Sequence, residues 1–161
     1  MERWHDLFLG ELGAAAALAG LLFVSMSVNQ ERIFSLGRMA DRAVEALAML
    51  FLVIAIATLG LTPGQPACLF GAEIATLVIA LLVWLLPVQR AYLAHLDMAY
   101  RRRAGTLVLG VRFAIGTIAM SGAILVVTNR DWALYLLVPG VLGALAASLV
   151  DAWVLLVEIN R

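Results

Sequence analysis

Five ionisable residues interrupt long apolar stretches of this chain, and their types and depths define what chemistry it can do. Arg112 and Asp151 lie about two turns inside their stretches from the same end, and Glu45 lies one turn inside its own. A charged group at mid-bilayer costs roughly 2.5–3.5 kcal/mol on insertion scales, so such residues face a partner, a cavity or the interface. Matched depth makes Arg112 and Asp151 the expected ion pair, with Glu45 placed to join them. That pair reads either as a device that fixes helix order or as a gate, proton relay or substrate anchor on a polar route. Glu11 and Glu73 form a second group, in the opposite outer parts of two other stretches. They read either as convergent carboxylates sharing a proton, which suits cation or proton handling, or as separate first-turn carboxylates favoured by the helix dipole.

The elements that must position these residues follow from length. A helix rises 1.5 Å per residue, so a hydrocarbon core of about 30 Å needs about 20 apolar residues. The sequence predicts helices over about 7–28, 43–62, 69–89, 105–127 and 132–157. The fold class is therefore all-α: an integral membrane bundle of five transmembrane helices forming one domain over 1–161. With 64% hydrophobic and 14% charged residues, too little polar surface is left to cover a soluble globule. The run Thr62-Pro63-Gly64-Gln65-Pro66-Ala67 stops one helix and starts the next, which makes helices 2 and 3 an antiparallel hairpin. Ser25-Met26-Ser27 offers small residues after an apolar run, as a signal peptide would. The start is poor in basic residues and three arginines follow, so helix 1 is expected to be retained.

Every basic residue is Arg, and their distribution sets an orientation. Arg32, Arg38 and Arg42 lie in connection 29–42, Arg90, Arg101, Arg102 and Arg103 in connection 90–104, and Arg161 at the C-terminus. Only Arg3 and Arg130 fall on the other side. Basic residues near helix ends resist translocation, so the N-terminus is expected outside and the C-terminus in the cytoplasm. In connection 90–104, Tyr92, Leu96 and Tyr100 recur at helical spacing, so helix 3 is expected to continue past the membrane or along its surface. Arg101, Arg102 and Arg103 suit anionic headgroups, each worth roughly 1 kcal/mol near the surface.

Leu7-Phe8-Leu9-Gly10-Glu11-Leu12 opens helix 1 and Leu69-Phe70-Gly71-Ala72-Glu73-Ile74 opens helix 3. This similarity suggests parallel repeats of helices 1–2 and 3–4, an arrangement that places substrates at the repeat interface in transporters. Small residues mark faces for close helix approach: Gly13, Ala14, Ala15, Ala16, Ala17, Ala19 and Gly20 on helix 1, Gly110, Gly116, Ser121 and Gly122 on helix 4, and two rows on helix 5. The rows are Gly140-Ala144-Ser148 and Gly143-Ala147-Asp151. Sequence does not separate internal packing from subunit contact.

Enzyme signatures are missing. His5 and His95 fall on opposite sides, so they cannot share a haem or zinc, and no phosphate loop, nucleophile elbow or His-Glu metal motif occurs. Cys68 stands alone, which excludes an internal disulfide and thiol-pair redox chemistry. No cofactor or metal is expected. A net charge of zero gives no field to recruit nucleic acid.

The segment from Gly13 to Asn29, followed by Arg32-Ile33 and later Thr62-Pro63-Gly64-Gln65, resembles small bacterial multi-pass integral membrane proteins of no assigned activity. The likeness covers about the first half of the chain. It implies a bacterial inner-membrane location with no catalytic residues to carry over, and it draws attention to the polar strip Ser25, Ser27, Asn29 and Gln30. Two function classes survive. One is a small oligomeric channel or transport-like unit for cations or protons, with Glu11, Glu73, Arg112 and Asp151 lining a polar route. The other is a non-catalytic interaction or regulatory module for another membrane protein complex. Expected partners are membrane lipids, anionic at the cytoplasmic face, and either further copies of the chain or a partner membrane protein.

The arginine distribution makes a direct prediction. On a Cys68→Ser background, an impermeant thiol reagent should label a cysteine at position 65 from outside and cysteines at positions 38 and 98 from inside. Reversed accessibility would contradict the assigned orientation.

Overall fold

The computed structural model describes residues 2–28, 38–94 and 98–159. A 3-10 turn, Glu2–Trp4, leads into α1 (His5–Val28). Four more helices follow: α2 (Arg38–Gly60), α3 (Ala67–Ala94), α4 (Met98–Thr128) and α5 (Leu134–Ile159), with a second 3-10 turn, Asp131–Ala133, before the last. All five contain a span long and apolar enough to cross a bilayer, at His5–Val28, Arg42–Gly60, Ala67–Arg90, Val108–Thr128 and Asp131–Trp153. These spans match the expected helices to within a few residues, and the architecture is compatible with a multi-pass membrane protein. α3 continues to Ala94 and α4 begins at Met98, so most of connection 90–104 is helical. His95 and Leu96 lie outside the described residues.

α2 is the hub. It packs on α1, α3 and α5, and half of its span is buried, the largest share of the five. α3 packs on α4, and α4 on α5, so α2, α3, α4 and α5 close a ring. α1 lies outside the ring, against α2 and to a lesser extent α5, and buries only Phe8, Glu11, Ala15 and Leu22. That row, spaced three, four and seven residues apart, is a single helix face.

Inside a bilayer no hydrophobic push holds helices together, so backbone proximity through small residues matters more. Gly71 of α3 meets Gly122 of α4: a Cβ on Gly71 would lie 2.6 Å from the Gly122 carbonyl oxygen and 2.9 Å from the Val126 nitrogen. Gly140 of α5 is pressed against Thr117 and Ile118 of α4, and Gly60 of α2 accepts the face of the Phe8 ring. Phe8 in turn meets Phe70 of α3 edge to face, at 5.6 Å between ring centres. The core continues through Met49, Leu50, Val53, Ile56, Ile74, Ile115, Ile118, Leu125 and Leu137, all buried.

The end of the bundle that holds the α2–α3 hairpin is tied by short turns. Gly64 takes a φ of 71° between Pro63 and Pro66, a left-handed conformation that a side chain would disfavour. Asn129, with a φ of 48°, ends α4, and its side chain accepts from the Cys68 backbone N–H at 2.9 Å. One residue thus terminates α4 and caps the start of α3. We call this the hairpin end, and the opposite end, where Arg42, Arg90 and Asp151 lie, the arginine end.

Candidate functional site

At the arginine end, four helices contribute polar side chains to two neighbouring hydrogen-bonded groups, Arg42 with Asp151 and Glu45 with Gln89 and Arg112. Arg42 and Glu45 stand three residues apart in α2 and therefore share a face. Glu45 is buried and Arg42 half-buried. Gln89 follows Leu85 by four residues on the buried face of α3. On α5, Ala144, Ser148 and Asp151 form one buried row. Arg112 lies next to buried Val111 on α4 and is itself exposed on the flank of the bundle.

Arg42 donates to Asp151 from Nε at 3.1 Å and from Nη2 to the same Oδ1 oxygen, joining α2 to α5. Gln89 Nε2 donates to Glu45 Oε1 at 2.6 Å, joining α3 to α2. Arg112 Nε donates to Gln89 Oε1 at 3.3 Å, joining α4 to α3. A guanidinium only donates and a carboxylate only accepts, so Gln89 must turn its oxygen to Arg112 and its amide N–H to Glu45. Ser148 Oγ shares its one proton between the Ala144 carbonyl at 2.9 Å and the Ala46 carbonyl at 3.2 Å, a second link from α5 to α2. Two guanidiniums and two carboxylates have a formal sum of zero. Glu45 sits within Coulombic range of Arg42 and Arg112, which attract it, and of Asp151, which repels it.

The structure therefore gives Asp151 the Arg42 guanidinium as its counter-charge, not that of Arg112. Their depths match, as the sequence suggests, but their directions do not. Asp151 and Ser148 look toward α2, whereas Arg112 looks toward α3. Arg42, counted in the sequence among residues of connection 29–42, and the neutral Gln89 are the members that depth alone does not find. The signal for Arg42 is its spacing of three from Glu45. Arg101, Arg102 and Arg103 fall in the first turns of α4, and their side chains lie outside the described residues.

At the hairpin end the two remaining carboxylates are not joined by any hydrogen bond. Glu73 accepts from Gln65 Nε2. Glu11, on the face of α1 turned to the bundle, is buried, and its Oε2 has no hydrogen-bond partner among the described residues. The two stand in different surroundings despite their similar sequence settings. Ser121 Oγ donates to the Ala133 carbonyl at 2.8 Å, and Trp4 meets Tyr135 edge to face. Of the polar strip, Ser27 Oγ bonds its own helix at the Phe23 carbonyl, while Asn29 and Gln30 lie outside the described residues.

Between the two ends, the buried side chains among the described residues are apolar. No group of three or more His, Cys, Asp or Glu residues there is arranged to hold a metal ion. No protein-family model, no curated protein and no solved structure matches the chain.

The network predicts a specific cost. Gln89→Leu leaves buried Glu45 without its donor and should destabilise the protein by about 1–3 kcal/mol, read as a lower midpoint of thermal unfolding in a fixed detergent. Adding Glu45→Leu should recover part of that loss, because the carboxylate left unsatisfied is then removed. An unchanged midpoint in Gln89→Leu would mean that the Gln89–Glu45 bond does not carry the packing of α2 on α3.

Proposed function

We propose that the protein is a non-catalytic interaction module of a bacterial inner membrane, which offers the outer face of α1 to a transmembrane helix of a partner membrane protein. One observation carries the reading. Gly10, Gly13, Ala17 and Gly20 fall on one side of α1, opposite Phe8, Glu11, Ala15 and Leu22, and all four are exposed. A Cβ built on Gly10, Gly13 or Gly20 would meet no atom within 4 Å, whereas Gly60, Gly71, Gly122 and Gly140 are all in close contact with a neighbouring helix. Small residues let helix backbones approach closely in lipid, and this row is not used inside the bundle. The hydrogen bonds at the arginine end support the same reading, since they link the helices of the ring to one another.

A second reading is a cation- or proton-conducting unit. The observation that favours it is Glu11, a buried carboxyl in a span whose Oε2 lacks a partner among the described residues. In that reading Glu11 and Glu73 begin a polar route that continues to Arg112 and Asp151.

A photo-crosslinking side chain at position 17, activated in intact membranes, should give a discrete protein adduct. Gly13→Leu should abolish that adduct without altering the thermal midpoint, because the added side chain meets nothing in its own fold. Adducts with lipid alone would contradict the module. Proton or cation flux in vesicles holding the purified chain, lost in Glu11→Gln, would instead support conduction.

A further inference from the structure

The flank between α3 and α4 carries a groove of about 350 Å³ with an uneven distribution of chemistry along its length. One wall is the α3 row Leu82, Leu86 and Arg90, spaced by four residues. The other is α4, with Arg112, Gly116 and Ala119 at spacings of four and three. The helices are antiparallel, so both arginines stand at the arginine end of the groove, and the remainder of these rows is apolar. Both arginines are exposed. Arg90 has no hydrogen bond or ion pair with any described residue. Arg112 is held from inside by its bond to Gln89 through Nε, and neither Nη group makes a hydrogen bond with a described residue.

We propose that this groove seats one anionic phospholipid, its phosphate between the Arg90 and Arg112 guanidiniums and an acyl chain along Leu82, Leu86, Gly116 and Ala119. The charge complementarity is direct: guanidinium donors form paired hydrogen bonds with phosphate oxygens, and among the described residues no carboxylate lines the groove, Glu45 lying behind Gln89. Depth agrees. Arg90 closes the span of α3 and Arg112 stands four residues into the span of α4, which puts both guanidiniums within reach of the headgroup layer while their stems lie along the apolar walls. Gln89 acts as a positioning residue, because its bond to Arg112 Nε sets the direction of that guanidinium. The seat stands whatever docks on α1.

Native mass spectrometry of the full chain, offered equimolar phosphatidylglycerol and phosphatidylcholine with identical acyl chains, tests the seat. The wild type should retain phosphatidylglycerol about tenfold over phosphatidylcholine, whose phosphate is the same but whose choline cation is repelled by the two guanidiniums. Arg90→Gln should bring the ratio close to unity, and because Arg90 is exposed and makes no hydrogen bond or ion pair with a described residue this variant should fold as the wild type does. Arg130→Gln, at the hairpin end, should leave the ratio unchanged. Gly116→Phe fills open space and should lower retention of both lipids, which separates a seated phospholipid from capture of free phosphate. Equal retention of the two lipids by the wild type, or a preference that survives Arg90→Gln, would overturn the proposal. So would a Gly116→Phe variant with undiminished phosphatidylglycerol and displacement by inorganic phosphate, since the arginines would then bind a headgroup without its chains.

Discussion

The ion pair between Arg42 and Asp151 is the constraint on which the rest of the bundle depends. Closing α2 against α5 takes Asp151 out of contact with water or headgroups, and an isolated carboxylate there would cost several kcal/mol. The cost is offset only if the arriving helix brings a guanidinium to the right place. That requirement fixes the rotation of α2 and the depth at which it meets α5, and Ser148, one turn away, adds a bond from α5 to the α2 backbone. With α2 set, Glu45 faces α3, and Gln89 becomes the group that satisfies it. α4 is then drawn in through Arg112.

Two kinds of contact divide the work along the bundle axis. At the arginine end the links are polar and directional. Toward the middle and the hairpin end they are contacts of shape: Gly71 on Gly122, Gly140 on Thr117 and Ile118, and Phe8 between Gly60 and Phe70. Dispersion between closely approached backbones is strong only when register is right, and the polar links supply that register. The result is a ring of four helices with a buried apolar middle, carrying α1 on its outside with the small-residue face turned away.

Much of this is legible in the sequence, and the failures have a common cause. Span length and apolar runs place all five helices, and Pro63, Gly64 and Pro66 place the hairpin, because both depend on local chemistry. Depth is legible too: Arg112, Asp151 and Glu45 do lie near one end. Direction around the helix axis is not. Arg112 and Asp151 share a depth, yet one looks to α3 and the other to α2, a difference that depends on which helices are neighbours. Arg42 is hard to see for another reason, since an arginine at the edge of a span looks the same whether it marks topology or enters the bundle. Gln89, uncharged and near a helix end, gives no signal at all until the carboxylate opposite it is known. Similar flanking residues suggest that Glu11 and Glu73 are equivalent, but only Glu11 lies on a buried helix face, a distinction set by the outer position of α1.

The central claim is that Arg42 and Asp151 hold α2 to α5 by their charges, and exchanging those charges tests it most directly. Arg42→Asp and Asp151→Arg, made singly, each place two like charges together and should sharply lower the yield of folded, monodisperse protein and its unfolding midpoint. Made together, they restore an opposite pair in the same place and should recover most of both. A doubly substituted protein no more stable than the worse single variant, or single variants as stable as the wild type, would contradict the account.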